Sequence, residues 1–271
     1  MAVMIPVTPA PDFPTEVTSF FGTSQVVFTA MLIFVRVGSV AVLIPGLGDQ
    51  AVPPRMRLSF AFVFTLMLVP VVQSQMPALP PKLGAMAGLI LHEAVIGLML
   101  GMLMRTFLGA LAIAGEVVSL QTTLSFAQTA NPAQAQPSTS IGTFLAMLGL
   151  VLIYATNLHH LFIAGMRDSY WVFPPMRPVM VGDATQLMIR TVGDTFMLAI
   201  QMTTPILVFG LIINVAAGFI GRIMPAFPIF FAVTPVSVLL GLAIFALSLG
   251  GTGLVFLQHY EEFLRLFVRG A

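Results

Sequence analysis

Residues 83–104 of the chain read LGAMAGLILHEAVIGLMLGMLM. Apart from His92 and Glu93, every residue in this stretch is apolar or glycine. An α-helix rises about 1.5 Å per residue, so about 20 such residues cross the roughly 30 Å hydrocarbon core of a bilayer. The stretch therefore predicts a membrane-spanning helix that carries one acidic group.

Further apolar runs lie on both sides of this stretch, separated by proline-rich or polar connections. Hydrophobic residues make up 58% of the 271 residues, charged residues make up 8%, and the mean hydropathy is +1.02. A soluble domain has about 45–50% apolar and about 25% charged residues. The composition predicts an all-α, polytopic membrane protein and excludes an ordinary soluble enzyme. The other runs are residues 24–44, 58–75, 141–165, 188–221 and 229–257.

Charge and cysteine content exclude further classes of protein. Lys and Arg together number 11 and Asp and Glu 10, so the net charge of +1 offers no basic surface for nucleic acid. The chain has no cysteine, which excludes disulfides, thiolate metal sites and a cysteine nucleophile. The first 23 residues contain no Lys or Arg, so we expect no cleaved signal sequence.

The histidines do not form a catalytic or metal-binding pattern. His92-Glu93 resembles the start of a zinc-protease motif, but position 96 is isoleucine where that motif needs a second histidine. His159 and His160 are adjacent, so on a helix they diverge by about 100° and cannot easily bind one metal. We therefore expect no enzyme, no cofactor and no metal site.

The stretch over residues 106–130 begins apolar and then becomes polar. From Ser119 onward, the apolar residues at helical spacing are Leu120, Leu124 and Ala127. Such a surface is poorly suited to lipid, although polar groups at membrane depth are tolerated against protein or a water-filled cavity. We expect this stretch to meet protein or water.

Charged residues inside apolar runs need partners, because a charge at the centre of a membrane helix costs about 2.5–3.5 kcal/mol. Arg36 lies in the middle of the first run. Its role is either a polar contact in a pathway or a packing ion pair with Glu93 or Glu116. Arg190 and Asp194 are four residues apart, which predicts a local pair on one helix face.

Small residues recur at a spacing of four, which lets helix backbones approach closely. The neighbouring helix could belong to the same chain or to another. The pairs are Gly84/Gly88, Gly97/Gly101 and Ala110/Ala114.

Loop charges suggest an orientation in the membrane. Arg55, Arg57 and Arg105 fall on one side if the first three runs span, and basic loops favour the cytoplasm. The acidic N-terminus would then be periplasmic, although Lys82 and Arg222 fall on the opposite side from the other basic residues.

Short blocks also follow one another in a characteristic order along most of the chain. Together they resemble the FliR family of flagellar type III secretion export-gate proteins and their SctT-like injectisome relatives. The block over residues 45–55 favours the flagellar proteins over the injectisome relatives. The blocks are FVRVGS (34–39), PGLGD (45–49), VPPRMR (52–57), Glu93-x3-Gly97-x3-Gly101, AGE (114–116), LQ (120–121), LSFA (124–127), NP (131–132), NLHH (157–160), and Pro205 through GFIGR (218–222) to Pro225.

The resemblance implies a fold of hydrophobic helical hairpins that build a helical, multi-subunit export gate. In this family the subunit assembles with FliP- and FliQ-like subunits into a channel for unfolded proteins during flagellum assembly. FlhB- and FlhA-like proteins and membrane lipid are the other implied partners, and nucleic acid is not one. The implied location is the bacterial inner membrane, at the flagellar basal body. A polytopic secondary transporter for a small solute is the alternative, which Arg36, Glu93 and Pro205 fit weakly and the missing internal repeat argues against.

The resemblance also implies an organisation of the chain as one hydrophobic helical domain over residues 1–271. Its parts are N-terminal helices over 24–165, a channel-closing plug over 110–132, and a C-terminal helical hairpin and tail over 186–271. Ser119 and Thr123 stand where the family commonly has glycine, so a stiffer or more polar plug is implied. The expected plug and channel-lining residues are Glu116, Leu120, Gln121, Leu124 and Phe126, and the expected buried polar and packing residues are Arg36, Arg55, Glu93, Gly97, Gly101, Arg190 and Asp194.

Overall fold

A computed structural model describes residues 24–49, 52–125, 139–177, 181–226 and 228–268. These residues form helices and turns with no strand among them, so the predicted all-α fold is confirmed. A short 3-10 helix, Gln73–Gln75, follows the second α-helix. The α-helices are α1 (Ser24–Leu43), α2 (Pro54–Val72), α3 (Leu83–Gln121), α4 (Ser140–Ala155), α5 (Leu158–Val172), α6 (Val181–Ile223) and α7 (Ile229–Arg265).

Helix α3 is the centre of the fold. Helices α1, α4 and α6 pack along it, α2 packs against α1, and α7 pairs with α6 in a hairpin. The buried face of α3 combines large side chains such as Leu103 and Phe107 with Ala110 and Ala114, both fully buried. The alanines let neighbouring helices approach closely, so a continuous core forms around this helix.

Helix α3 is also longer than predicted. The sequence suggests a division near Arg105, yet one helix of 39 residues runs from Leu83 to Gln121. Arg105 is exposed on this helix, where a long side chain can reach away from the axis without interrupting the backbone. The assignment of Arg105 to a loop was therefore wrong, and the loop-charge orientation loses one of its residues.

The run over residues 141–165 is two helices instead of one. Helices α4 and α5 meet at an angle of 81°. Asn157, at the junction, has a φ of 60°, a left-handed conformation that asparagine tolerates better than most residues. The apolar pattern continues through the bend, so helical periodicity did not indicate it.

Helices α6 and α7 extend beyond the predicted runs. Helix α6 begins at Val181, and α7 continues beyond the last apolar run into the predicted tail, as far as Arg265. Within that last part, Arg265 Nη2 donates to Glu261 Oε1 at 2.8 Å, a pairing one turn apart on the helix. The described tail is thus a continuation of the hairpin.

Five described helices are long and apolar enough to cross a membrane, or six if the bent pair of α4 and α5 counts as one span. In the most apolar 18-residue stretch of each helix, 50% of the residues are buried in α1 and 56% in α3, but only 11% in α6 and in α7. At about 1.5 Å per residue, α6 is about 65 Å long, roughly twice the hydrocarbon core. The hairpin therefore presents a long apolar surface that the described residues leave uncovered.

Candidate functional site

A buried ion pair joins α1 to α3. Arg36 Nε donates to Glu93 Oε2 at 2.6 Å, and Arg36 Nη2 donates to Glu93 Oε1 at 3.0 Å. The side chains are 1% and 0% exposed, respectively. A guanidinium and a carboxylate that meet through two parallel bonds satisfy each other in the geometry both prefer.

Helix α5 completes the surroundings of Arg36. Arg36 Nη1 donates to Ser169 Oγ at 3.2 Å, and Nη2 donates to the carbonyl of Phe173 at 2.9 Å. The guanidinium carbon lies 4.0 Å from the centre of the Tyr170 ring, which is itself buried. One arginine therefore holds three helices together, and its contacts with Ser169, Tyr170 and Phe173 were not expected from the sequence.

Glycines on α3 bring the two helices close at this point. A Cβ atom on Gly97 would lie 2.5 Å from the carbonyl oxygen of Arg36 and 2.7 Å from Cβ of Ser39. A Cβ on Gly101 would lie 2.9 Å from Cβ of Leu43. Gly97 and Gly101 follow Glu93 at intervals of one turn, so one face of α3 supplies both the charge and the close contact. Of the two roles offered for Arg36, these contacts describe a packing ion pair.

Glu116, the other partner offered for Arg36, instead holds the start of α4. Its Oε1 accepts the backbone N–H of Thr139 at 2.8 Å. Thr139 Oγ1 in turn accepts the N–H of Gly142 at 3.1 Å and so caps the N-terminus of α4. Nearby, a Cβ on Gly115 would overlap the backbone of Gly142, so α3 and α4 cross here almost in backbone contact.

The end of α3 rests against the hairpin of α6 and α7. Gln121 packs over Gly210 of α6, and Thr122, which is fully buried, packs over Gly241 of α7. Thr123 then has a φ of 57°, which ends the helix. Leu120 points outward and is 63% exposed.

A cavity of about 330 Å³ lies beside this contact, between the end of α3 and the hairpin. Amide and hydroxyl side chains line part of it, although the helices around it are mainly apolar. A polar cavity of this size can hold water. The polar lining residues are Gln121, Thr123, Asn214, Thr234 and Ser237.

The order of the sequence blocks and the arrangement of the helices both invite comparison with known proteins. A family model described as bacterial export proteins, family 1, matches residues 27–263. The flagellar biosynthetic protein FliR of Caulobacter vibrioides is 49% identical over 247 residues, which is 91% of this chain and 98% of that protein.

The chain belongs to the FliR family. More distant relatives include FliR of Aquifex aeolicus, 24% identical over 90% of this chain and 94% of that protein. FliR of Escherichia coli is 26% identical over 74% of this chain and 77% of that protein. The resemblance drawn from the ordered blocks is confirmed. The chain is a membrane-embedded component of bacterial flagellar export, a role in transport or structure.

With the FliR family established, the expected plug residues can be placed. Glu116, Leu120 and Gln121 lie on the last turns of α3, and Leu124 is half-buried just beyond them. Phe126, like the rest of the stretch up to residue 132, lies outside the described residues. The described part of the expected plug is therefore a continuation of the central helix.

Three of the expected packing residues are exposed on the surface of this single chain. Arg55 is exposed at the start of α2, and Arg57 is the residue that holds the preceding turn by donating to the carbonyl of Val52 at 3.0 Å. Arg190 and Asp194 are exposed on α6, and the ion pairs among the described residues do not include them. The expected local pair of Arg190 and Asp194 does not form, and no described helix covers that face of α6.

The small-residue pairs also divide into two kinds. Gly97, Gly101, Ala110 and Ala114 are buried against neighbouring helices. Gly84 and Gly88 are exposed, and a Cβ on either would meet nothing within 4 Å.

Among the described residues, no group of three or more histidine, aspartate or glutamate side chains could hold a metal.

Proposed function

We propose that this chain is a core subunit of the flagellar export gate. With FliP- and FliQ-like subunits it would form the channel through which unfolded proteins leave the cell during flagellum assembly, with FlhB- and FlhA-like proteins bound nearby. The gate would lie in the bacterial inner membrane, at the base of the flagellum. The name shared by its relatives, flagellar biosynthetic protein, supports the flagellar setting.

The observation that carries the proposal is the uncovered hairpin. The apolar windows of α6 and α7 are only 11% buried, and side chains as large as Phe231 and Leu247 are 76% and 87% exposed. Each helix is far longer than a bilayer core, so lipid cannot cover its whole apolar length. Exposed apolar surface of this extent supports the proposed contact with other protein subunits.

The end of α3 supports a channel-facing role for the expected plug. Leu120 is exposed, and Gln121 and Thr123 line a polar cavity. Polar groups at membrane depth are tolerated where they meet protein or water. A stretch of this character is suited to closing a channel between passages of substrate.

The structure argues against the transporter alternative, because the buried charges that could bind a solute are paired with each other. Arg36 and Glu93 form an ion pair, and further N–H groups of the arginine donate to Ser169 Oγ and to the carbonyl of Phe173. A paired and enclosed arginine offers no free charge to a solute. Substrate-dependent flux in liposomes that contain this chain alone would favour the transporter.

The proposal is tested by co-purification of the chain with tagged FliP- and FliQ-like proteins. We expect a stable complex with these partners, and an unstable chain when it is purified alone. A photo-crosslinking residue at Leu247 should form adducts with these subunits, whereas one at the fully buried Phe256 should form none. The proposal would be contradicted by a chain that is a stable, folded monomer in detergent and whose Leu247 position crosslinks to no protein.

A further inference from the structure

We propose that Gly210 of α6 and Gly241 of α7 form a latch that holds the end of α3, and that this latch opens whenever a protein is exported. The inference rests on the proposed function, because it assigns a moving part to the same gate. It concerns residues in the described part of the chain, Gln121 and Thr122 on one side and the two glycines on the other.

The contact at Gly241 is the less adjustable half of the latch. A Cβ atom on Gly241 would lie 2.5 Å from Cγ2 of Thr122 and 3.3 Å from its Cβ. Thr122 is 0% exposed, and its Oγ1 donates to the carbonyl of Val118 at 2.9 Å. A β-branched side chain held in this way has little freedom to move aside. Glycine is therefore the residue that lets α7 receive Thr122.

The contact at Gly210 is the more adjustable half. A Cβ on Gly210 would overlap Oε1 of Gln121, lying 2.7 Å from its Cδ and 3.4 Å from its Cβ. The amide is the far end of a flexible side chain, so it could rotate away. The absence of a side chain at Gly210 allows the amide to rest directly against α6.

The two glycines differ from others on the same helices. A Cβ on Gly218 of α6 or on Gly250 of α7 would meet nothing within 4 Å. Close contact with α3 is therefore a property of two positions, one on each arm of the hairpin. Gly218 and Gly250 supply matched controls for both arms.

Two features make this contact suited to opening. Thr123, the next residue, has a φ of 57°, and a β-branched residue in that region is strained. The cavity of about 330 Å³ beside Gln121 and Thr123 provides space into which side chains can move. Strain and free space lie at the same end of the helix as the latch.

A reversible disulfide tests the latch directly. The Cβ separations of 3.3 Å for Thr122 and Gly241, and 3.4 Å for Gln121 and Gly210, are near the roughly 3.5–4.5 Å found in disulfides. The chain contains no cysteine, so an engineered pair has no competing thiols. The variant is Thr122→Cys with Gly241→Cys, which also replaces the methyl group that a new Cβ would meet. The second pair is Gln121→Cys with Gly210→Cys.

We expect mild oxidation of cells carrying either pair to form the disulfide, seen as loss of thiol labelling, and to stop secretion of flagellar subunits. A reductant should restore secretion. The controls are the reduced form of each pair and the variant Gly218→Cys with Gly250→Cys, whose new Cβ atoms meet nothing within 4 Å, so that this variant should neither crosslink nor lose export. Continued export with a fully formed disulfide would overturn the latch, as would two thiols that stay accessible in the assembled gate.

An independent arm does not need a disulfide. Gly241→Ala should displace Thr122 and increase leakage of small ions through the assembled complex, compared with Gly250→Ala. Equal leakage of the two variants would overturn the inference. Failure of the proposed function would look different, because cells lacking this chain would then still secrete flagellar subunits, whatever the state of the latch.

Discussion

Arg36 on α1 and Glu93 on α3 meet through two hydrogen bonds, of 2.6 and 3.0 Å, in a position where neither side chain is more than 1% exposed. The same guanidinium reaches α5 through Ser169 and the carbonyl of Phe173. Removing one member of such a pair leaves the other buried without its partner, which is far more costly than removing both.

Replacing Glu93 alone, as Glu93→Leu, should therefore destabilise the protein by about 3–5 kcal/mol. The double variant Arg36→Met with Glu93→Leu should recover a large part of this loss. The measurement is thermal unfolding of the purified export complex. Glu261→Gln, which weakens the exposed pair with Arg265, is the control and should change the unfolding temperature little. A double variant as unstable as the sum of its single variants would contradict this account.

Gly97→Ala should separate α1 from α3, because the new Cβ would meet the carbonyl oxygen of Arg36 at 2.5 Å and Cβ of Ser39 at 2.7 Å. A backbone carbonyl cannot move aside as a flexible side chain can, so we expect a loss of about 1–3 kcal/mol, as in other overpacked cores. Gly84→Ala on the same helix meets nothing within 4 Å and should be neutral or slightly stabilising. Unfolding temperatures of the two variants provide the comparison, and equal values would exclude the close contact.

Glu116→Ala should loosen the start of α4, since it leaves the N–H of Thr139 without its acceptor. An unsatisfied, largely buried donor costs about 1–3 kcal/mol. Hydrogen exchange at Thr139 and Gly142 should accelerate, while exchange at the far end of α4 should change less. Glu116→Gln keeps an acceptor oxygen at this position and should behave much more like the parent protein. Unchanged protection of Thr139 in the alanine variant would show that the contact does not hold α4.

Thr123→Gly should stabilise the end of α3, because glycine adopts a φ of 57° without the steric cost that threonine carries. The gain should be about 1 kcal/mol, reduced by the loss of the bond from Thr123 Oγ1 to the carbonyl of Thr122. Thr123→Ala loses the same bond without relieving the backbone and should be destabilising. Unfolding temperatures that rank glycine below alanine would exclude strain at this residue.

Sequence patterns predicted the parts of this fold that depend on local composition. The bounds of α1 and the contact face of Glu93, Gly97 and Gly101 were visible because apolar runs and helical spacing are local signals. The continuity of α3 past Arg105 and the bend at Asn157 were not, since an exposed arginine can lie inside a helix and apolar residues continue through a bend. Contacts between distant segments, such as Gln121 with Gly210, leave no mark in spacing along the chain.

Prediction of charge pairing failed for a related reason. Arg190 and Asp194 have the spacing of a helical pair, yet both are exposed on a face of α6 that no other described helix covers. Spacing states which residues share a helix face, but it does not state what lies opposite that face. Arg36 and Glu93 were easier because two charges in separate, deeply apolar helices have few alternatives to each other.

The unbroken length of α3 has a mechanical consequence. No proline interrupts it, and the 29 residues from Glu93 to Gln121 correspond to a rod of roughly 42 Å. A rod of this kind transmits force along its axis more readily than it bends. Any pull exerted on Gln121 is therefore transmitted along α3 towards the ion pair of Arg36 and Glu93.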